Sequence, residues 1–148
     1  SREHIWRKMN RILGFDLGSK TLGISSSDPL GMIARALTTV RFQSDDYDDA
    51  FQQAMAVIKE EKADTIVLGL PKHMNGDVGE RGEISIAFSK RFEDVGIKVV
   101  LWDERLTTVA ANRILLEGDV SRKKRKKVID QMAAVQILQS YLDYSNRG

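Results

Sequence analysis

Apolar residues first come in short runs separated by turn formers, over residues 11–16, 22–26 and 33–40, with glycine- or proline-containing connections between them. Three strands this close together imply an antiparallel meander. The period then changes, because Phe51, Ala54, Met55 and Ile58 recur at three- and four-residue spacing and predict a helix over 46–61. "DTIVLGL", residues 64–70, is continuously apolar, the pattern of a strand buried on both faces. A polar, glycine-rich loop, "PKHMNGDVGERG", leads into a second helix in which Ile84, Phe88, Phe92 and Val95 share a face. "IKVVLW", residues 97–102, is the fifth strand; helices over about 107–117 and 126–144 finish the chain, joined by a segment that holds Gly118 and a basic block. The resulting order, β-β-β-α-β-α-β-α-α, describes an α/β chain with a five-stranded mixed sheet, a meander followed by right-handed parallel crossovers, and helices packed on it. An RNase H-like fold has this order, and so do other mixed α/β domains.

Composition narrows the chemistry. With 148 residues and 42% hydrophobic content the chain builds one core. We expect residues 1–8 to be an extension and 9–148 a single domain. No apolar run approaches the ~18 residues of a membrane span, and the start, "SREHIWRKMN", lacks the apolar stretch of a secretory signal. The expectation is a soluble, cytoplasmic protein with no membrane partner. No cysteine is present and the two histidines, His4 and His73, lie far apart in sequence, so a metal would have to sit on oxygen ligands. The net charge of +2 is uneven: Arg122, Lys123, Lys124, Arg125, Lys126 and Lys127 supply six of 23 basic residues, leaving 17 against 21 acids, a net of −4. A mildly acidic body with one dense cationic block suits a polyanionic partner, although such a run also serves as a solvated loop or helix start.

Three acids stand at borders between apolar structure and polar loops. Asp16 ends the first strand, at the carboxyl edge where ligands collect in open α/β sheets, or else caps the turn into Gly18. Asp103 and Glu104 end the fifth strand; one of them can cap the next helix while the other faces a site. Asp130 lies near the start of the final helix among Val128, Ile129, Met132 and Ala133. Clusters made of carboxylates alone suit Mg²⁺ or Mn²⁺, and such ions can clamp the attacking and leaving oxygens of a phosphodiester displacement. Phosphodiester hydrolysis is the reaction this set of residues suggests.

Four stretches, "GFDLGSKTLGISSSDPLG", "VLGLPKHMNGDVGERG", "DERLTT" and "VIDQMAAVQIL", resemble the signature stretches of the YqgF/RuvX family, in the family's order and over about residues 9–142. The resemblance implies an RNase H-like fold and a hydrolase, an endonuclease assigned in bacteria to 5′-end maturation of pre-16S ribosomal RNA in ribosome biogenesis. The alternative assignment is a Holliday junction resolvase acting on four-way DNA in recombination and repair. It places the family's acids on Asp16, Glu104 and Asp130, as catalytic and metal-holding groups, with Asp103 as an additional metal candidate; of the adjacent pair we favour Glu104. Related resolvases carry a fourth acid one helical turn beyond the third, where this chain has Ala133 and Ala134.

Around the acids, Gly14 and Gly18 are expected to let a phosphate approach. Lys20, Thr21, Lys72, Asn75, Arg81 and Arg105, with the block Arg122 to Lys127, are the candidate nucleic-acid contacts. A plain hairpin-turn role is the alternative for Lys20 and Thr21, an ordinary connection with Arg81 starting a helix is the alternative for the loop holding Lys72, Asn75 and Arg81, and a salt bridge to Asp103 is the alternative for Arg105. RNA is favoured as partner, with structured or branched DNA open, and a homodimer is an open option because a junction resolvase needs two sites. Two other readings compete. "DLGSKTLG" also resembles the first phosphate loop of sugar kinases and actin-like proteins, which need a second such loop that this chain lacks. A binding module that cuts nothing is the other, and carboxylates facing a phosphate backbone argue against it.

Overall fold

The structure, a computed structural model, describes residues 11–107 and 122–147, with side chains in the second segment from residue 132 onward. The expected extension over 1–8, and the helix expected from about 107 beyond Thr107 itself, lie outside the described residues. Strands β1 (Arg11–Leu17), β2 (Thr21–Ser27) and β3 (Ala34–Arg41) form the meander; helix α1 (Tyr47–Glu61), strand β4 (Ala63–Leu70), helix α2 (Glu80–Glu93) and strand β5 (Lys98–Asp103) follow. A 3-10 turn, Glu104–Leu106, leaves β5, and helix α3 (Arg122–Ser145) closes the chain. The sheet order is β3-β2-β1-β4-β5, with β1 antiparallel to β2, β2 antiparallel to β3, and β1, β4 and β5 mutually parallel along the sheet. Among the described residues no helix is long and apolar enough to cross a membrane.

Strand alternation divides the interior into two layers. Leu13, Phe15, Leu22, Ile24, Ile66 and Leu68 face α1 and α2, meeting Ala50, Ala54, Ile58, Phe88 and Phe92. Phe15 and Phe92 pack edge-on at 5.7 Å, and Phe88 and Phe92 at 5.0 Å; burying each such ring is worth roughly 1.5–3 kcal/mol. The other face carries Val67 against Ala133, Ile137, Leu138 and Leu142 of α3. β1 and β4 are covered on both sides, which is why they read as continuous apolar runs.

Three expectations need correction. The basic block does not join two helices: Arg122 to Lys127 form the first turns of α3, and Lys and Arg are good helix formers whose charge alone says nothing about a loop. Val95 is not on the buried face of α2, because the helix closes at Asp94, Gly96 takes φ +89°, and Val95 is left 54% exposed. Gly14 admits a helix where a phosphate was expected. A Cβ there would stand 2.7 Å from Leu138 Cβ and 2.8 Å from the Ala134 carbonyl oxygen, while Ser25 Oγ donates to that same carbonyl at 2.7 Å.

Candidate active site

The side-chain alternation that puts Leu13, Phe15 and Leu17 under α1 and α2 puts Asp16 on the α3 face, at the carboxyl end of β1, where it is 7% exposed. Its partner across β2 is Gly23. On the other side Phe15 pairs with Leu68, so the next residue along β4, Gly69, stands beside Asp16, and Gly69 pairs with Trp102. Two glycines, Gly23 and Gly69, therefore flank the acid, and at Gly69 the missing side chain leaves a gap that groups from elsewhere in the chain can enter.

Glu104 uses that opening. β5 ends at Asp103, and the 3-10 turn carries Glu104 back over the sheet, so that a Cβ on Gly69 would lie 2.8 Å from Glu104 Oε1 and 3.3 Å from its Cγ. Adjacent strands are ~4.8 Å apart, so the Glu104 carboxylate sits one strand away from Asp16, on the same face. Asp103 takes another role. Its carboxylate accepts from the Arg105 backbone N–H at 2.9 Å, from Arg105 Nε at 3.1 Å and from Arg105 Nη2 at 2.7 Å. Lys72 Nζ stands 3.9 Å away. The Arg105 guanidinium holds the Asp103 carboxyl below its ordinary range, and the same pair raises Arg105. Arg105 thus forms the salt bridge to Asp103, and its Nη1 also reaches the Met74 carbonyl at 3.5 Å.

The third acid is placed by the helix. Ala134 lies against Gly14 and Ser25, whereas Gln139 bonds the Ala34 N–H and Asn146 the Gly31 carbonyl at the far end of the sheet. α3 therefore runs antiparallel to β1. Asp130 is four residues before Ala134, a rise of ~6 Å along the helix, and Asp16 is two residues beyond Gly14, ~6.6 Å along the strand. The Asp130 backbone is thus level with Asp16, on the helix face shared with Ala134; its side chain is not among those described. The position of the missing fourth acid is closed: Ala133 is 2% and Ala134 0% exposed. Among the described residues no three His, Cys, Asp or Glu side chains form a metal cluster.

The expected nucleic-acid contacts separate. Lys20 is exposed at the β1–β2 turn. Thr21 is 4% exposed and belongs to that turn, whose Gly18 N–H donates to its carbonyl at 2.8 Å. Asn75 is exposed and braces the loop after β4 through Asp77, each donating one bond to the other's side chain at 3.0–3.1 Å. Arg81 points inward, to Leu17 and Tyr47. Sequence reasoning passed over Gly69, read only as part of an apolar strand; a glycine inside a buried strand is itself a signal of close approach by another group.

A family model for RuvX, described as Holliday junction resolvase, matches residues 10–144. A Bacillus subtilis protein named "Putative pre-16S rRNA nuclease" is 53% identical over 137 residues, covering 92% of this chain and 99% of its own length. A relative of the same name from Oceanobacillus iheyensis is 52% identical over 134 residues, covering 90% and 98%. Among solved structures, Thermus thermophilus RuvC in complex with a Holliday junction substrate aligns with a TM-score of 0.60 at 14% identity, covering 93% of this chain and 96% of that one. That likeness supports the RNase H-like fold read from the topology, and the match along nearly the whole sequence assigns the chain to the RuvX family.

Proposed function

We propose that this protein is a metal-dependent endonuclease that hydrolyses phosphodiester bonds in structured RNA, with the 5′ end of pre-16S ribosomal RNA as its target. The observation that carries the reading is the placement of Asp16 and Glu104 on one sheet face around Gly69, with Asp130 level with them on α3. The donor set fits the ion: carboxylate oxygens, with no cysteine anywhere in the chain, favour Mg²⁺ or Mn²⁺. Asp16, Glu104 and Asp130 would hold it. When bound, such an ion lowers the pKa of a water and offsets charge on the phosphate.

The chain's own residues supply the rest. β1 and the 3-10 turn hold two carboxylates at fixed positions before substrate arrives, which is preorganisation of the kind that lowers barriers. Lys20, exposed at the β1–β2 turn, and Lys72, 3.9 Å from Asp103, are the residues we assign to the phosphate backbone, together with the Arg122 to Lys127 block, which ends three residues before Asp130 in the sequence. Arg105 can exchange part of its bond to Asp103 for a phosphate oxygen, since guanidinium geometry matches both. The names of the relatives favour RNA; the family description favours a four-way DNA junction as the second reading, which needs two copies of the site and hence a dimer.

The test is cleavage of an end-labelled precursor ribosomal RNA fragment and a synthetic four-way DNA junction in parallel, with Mn²⁺, Mg²⁺ or EDTA. Metal-dependent cutting of the RNA, lost by orders of magnitude in Asp16→Asn, Glu104→Gln and Asp130→Asn with the fold intact, is expected. Cutting of the junction alone would transfer the assignment to DNA. Salt-sensitive binding with no cutting of either substrate would leave a binding module.

A further inference from the structure

The turn after Asp16 is gripped from outside the sheet. Pairing of β1 with β4 runs to Phe15 and Leu68. Beyond it, the Leu17 carbonyl accepts from Arg81 Nη2 at 3.2 Å, while Arg81 Nη1 donates to the Tyr47 hydroxyl at 3.1 Å. The Tyr47 hydroxyl donates onward to Asp45 Oδ1 at 3.1 Å. Asp45 is one of two described non-glycine residues with positive φ, at 61°, and its N–H donates to the Ser19 carbonyl at 2.8 Å. The Phe42 N–H donates to the Lys20 carbonyl at 3.0 Å. Three carbonyls of the short stretch after Asp16 are thus taken by groups from α2 and from the β3–α1 connection. Arg81 is the member that bridges elements: it lies in the first turn of α2, reaches the first residue of α1, and holds the end of β1.

We propose that Arg81 is a positioning residue, which fixes the carboxylate of Asp16 by clamping the Leu17 carbonyl to α1 and α2, and does not bind nucleic acid. This rests on the reading of Asp16 as a metal-holding group. A guanidinium suits the task because it presents donors in a planar fork, so one side chain serves two acceptors from fixed directions; a lysine ammonium at the same place serves as a point donor. The Tyr47 ring is itself seated between Phe42 at 5.9 Å and Phe88 at 6.5 Å, which makes the hydroxyl a rigid partner.

The experiment compares Arg81→Lys, Arg81→Ala and Tyr47→Phe with the wild type in three measurements. Amide hydrogen exchange over residues 16–21 is expected to quicken about tenfold in Arg81→Lys, as one charged hydrogen bond is lost, while exchange elsewhere in the sheet stays put. Cleavage in Mn²⁺ is expected to lose about ten- to a hundredfold in kcat, with KM unchanged and a smaller effect of the same sign in Tyr47→Phe. The slope of log affinity for RNA against log salt is expected to remain that of the wild type, because no phosphate contact disappears. A slope lower by about one with kcat unchanged makes Arg81 a phosphate contact and overturns the proposal; so does unchanged exchange over 16–21, or exchange raised uniformly through the sheet. Absence of cleavage by the wild type would remove the nuclease reading, and the exchange comparison would still decide whether Arg81 holds the turn.

Discussion

Gly69→Ala tests the site without touching an acid. The new Cβ would stand 2.5 Å from Ile137 Cδ1, 2.8 Å from Glu104 Oε1 and 3.3 Å from Glu104 Cγ. Comfortable contact starts near ~3.5 Å, so the carboxylate oxygen must retreat by about 0.7 Å and the isoleucine terminus by about 1 Å. Both obstacles are side-chain ends. Moving them costs about 0.5–1.5 kcal/mol in rotamer strain, and replacing a glycine returns ~0.4–1 kcal/mol by restricting the unfolded chain. Stability should therefore change by no more than about 1 kcal/mol. Activity should not be spared, because a misplacement of ~1 Å in a reacting array costs up to about a hundredfold. Urea unfolding read by tryptophan fluorescence, beside single-turnover cleavage of the RNA fragment in Mn²⁺, measures both quantities. We expect cleavage to fall about ten- to a hundredfold with the midpoint nearly kept. Full cleavage by a stably folded Gly69→Ala would refute the placement of Glu104 in the mechanism, and a loss above about 3 kcal/mol would show that the obstacles do not yield.

Gly14→Ala should show the opposite balance: its Cβ meets the Ala134 backbone and Leu138 Cβ, which cannot step aside without α3 moving, so we expect a loss of about 2–4 kcal/mol in urea unfolding. Gly18→Ala, whose nearest obstacle is the Thr21 carbonyl at 3.4 Å, is the tolerated control, and equal stability of the two variants would contradict the close packing of α3 on Gly14. Asp103 is held below its ordinary range by Arg105, so in the folded state it binds its proton later than in the unfolded one; its contribution is complete above the unfolded value near 3.8 and is lost as pH falls through the lower folded value. Asp103→Asn should accordingly make the acid limb of a stability-against-pH curve shallower below about pH 5, and an unchanged limb would show that the pair does nothing for folding. Replacing two lysines of the Arg122 to Lys127 block by glutamine should lower the salt slope of RNA binding by about two, and an unchanged slope would place the nucleic acid elsewhere.

Much of this molecule was legible from one dimension, because the hydrophobic period is a local property of the chain. Alternation and continuous apolar runs located all five strands, and the three- and four-residue spacing located α1; the spatial order β3-β2-β1-β4-β5 came only with the structure, because the period of a strand says nothing about which strand lies beside it. Asp16 and the acidic pair after β5 were visible as charges at the ends of apolar runs. Which acid of that pair faces the sheet surface beside Asp16 was not, since a single residue of phase separates Asp103 from Glu104 and a 3-10 turn that breaks the alternation decides it. Nor could sequence separate glycines by purpose. Gly14 admits α3, Gly69 admits a carboxylate, and both are a missing side chain whose meaning depends on what arrives from ~35 to more than a hundred residues away. Arg81 is the same case with a charge: a basic residue at the end of a polar loop reads equally as a phosphate contact or as the start of a helix, and only the fold brings the Leu17 carbonyl and the Tyr47 hydroxyl within its hydrogen-bonding distance. The sequence by itself determined the period, the turns and the inventory of reactive groups, because these depend on neighbours in the chain; the tertiary structure alone decided which groups face one another, because that depends on packing between distant segments.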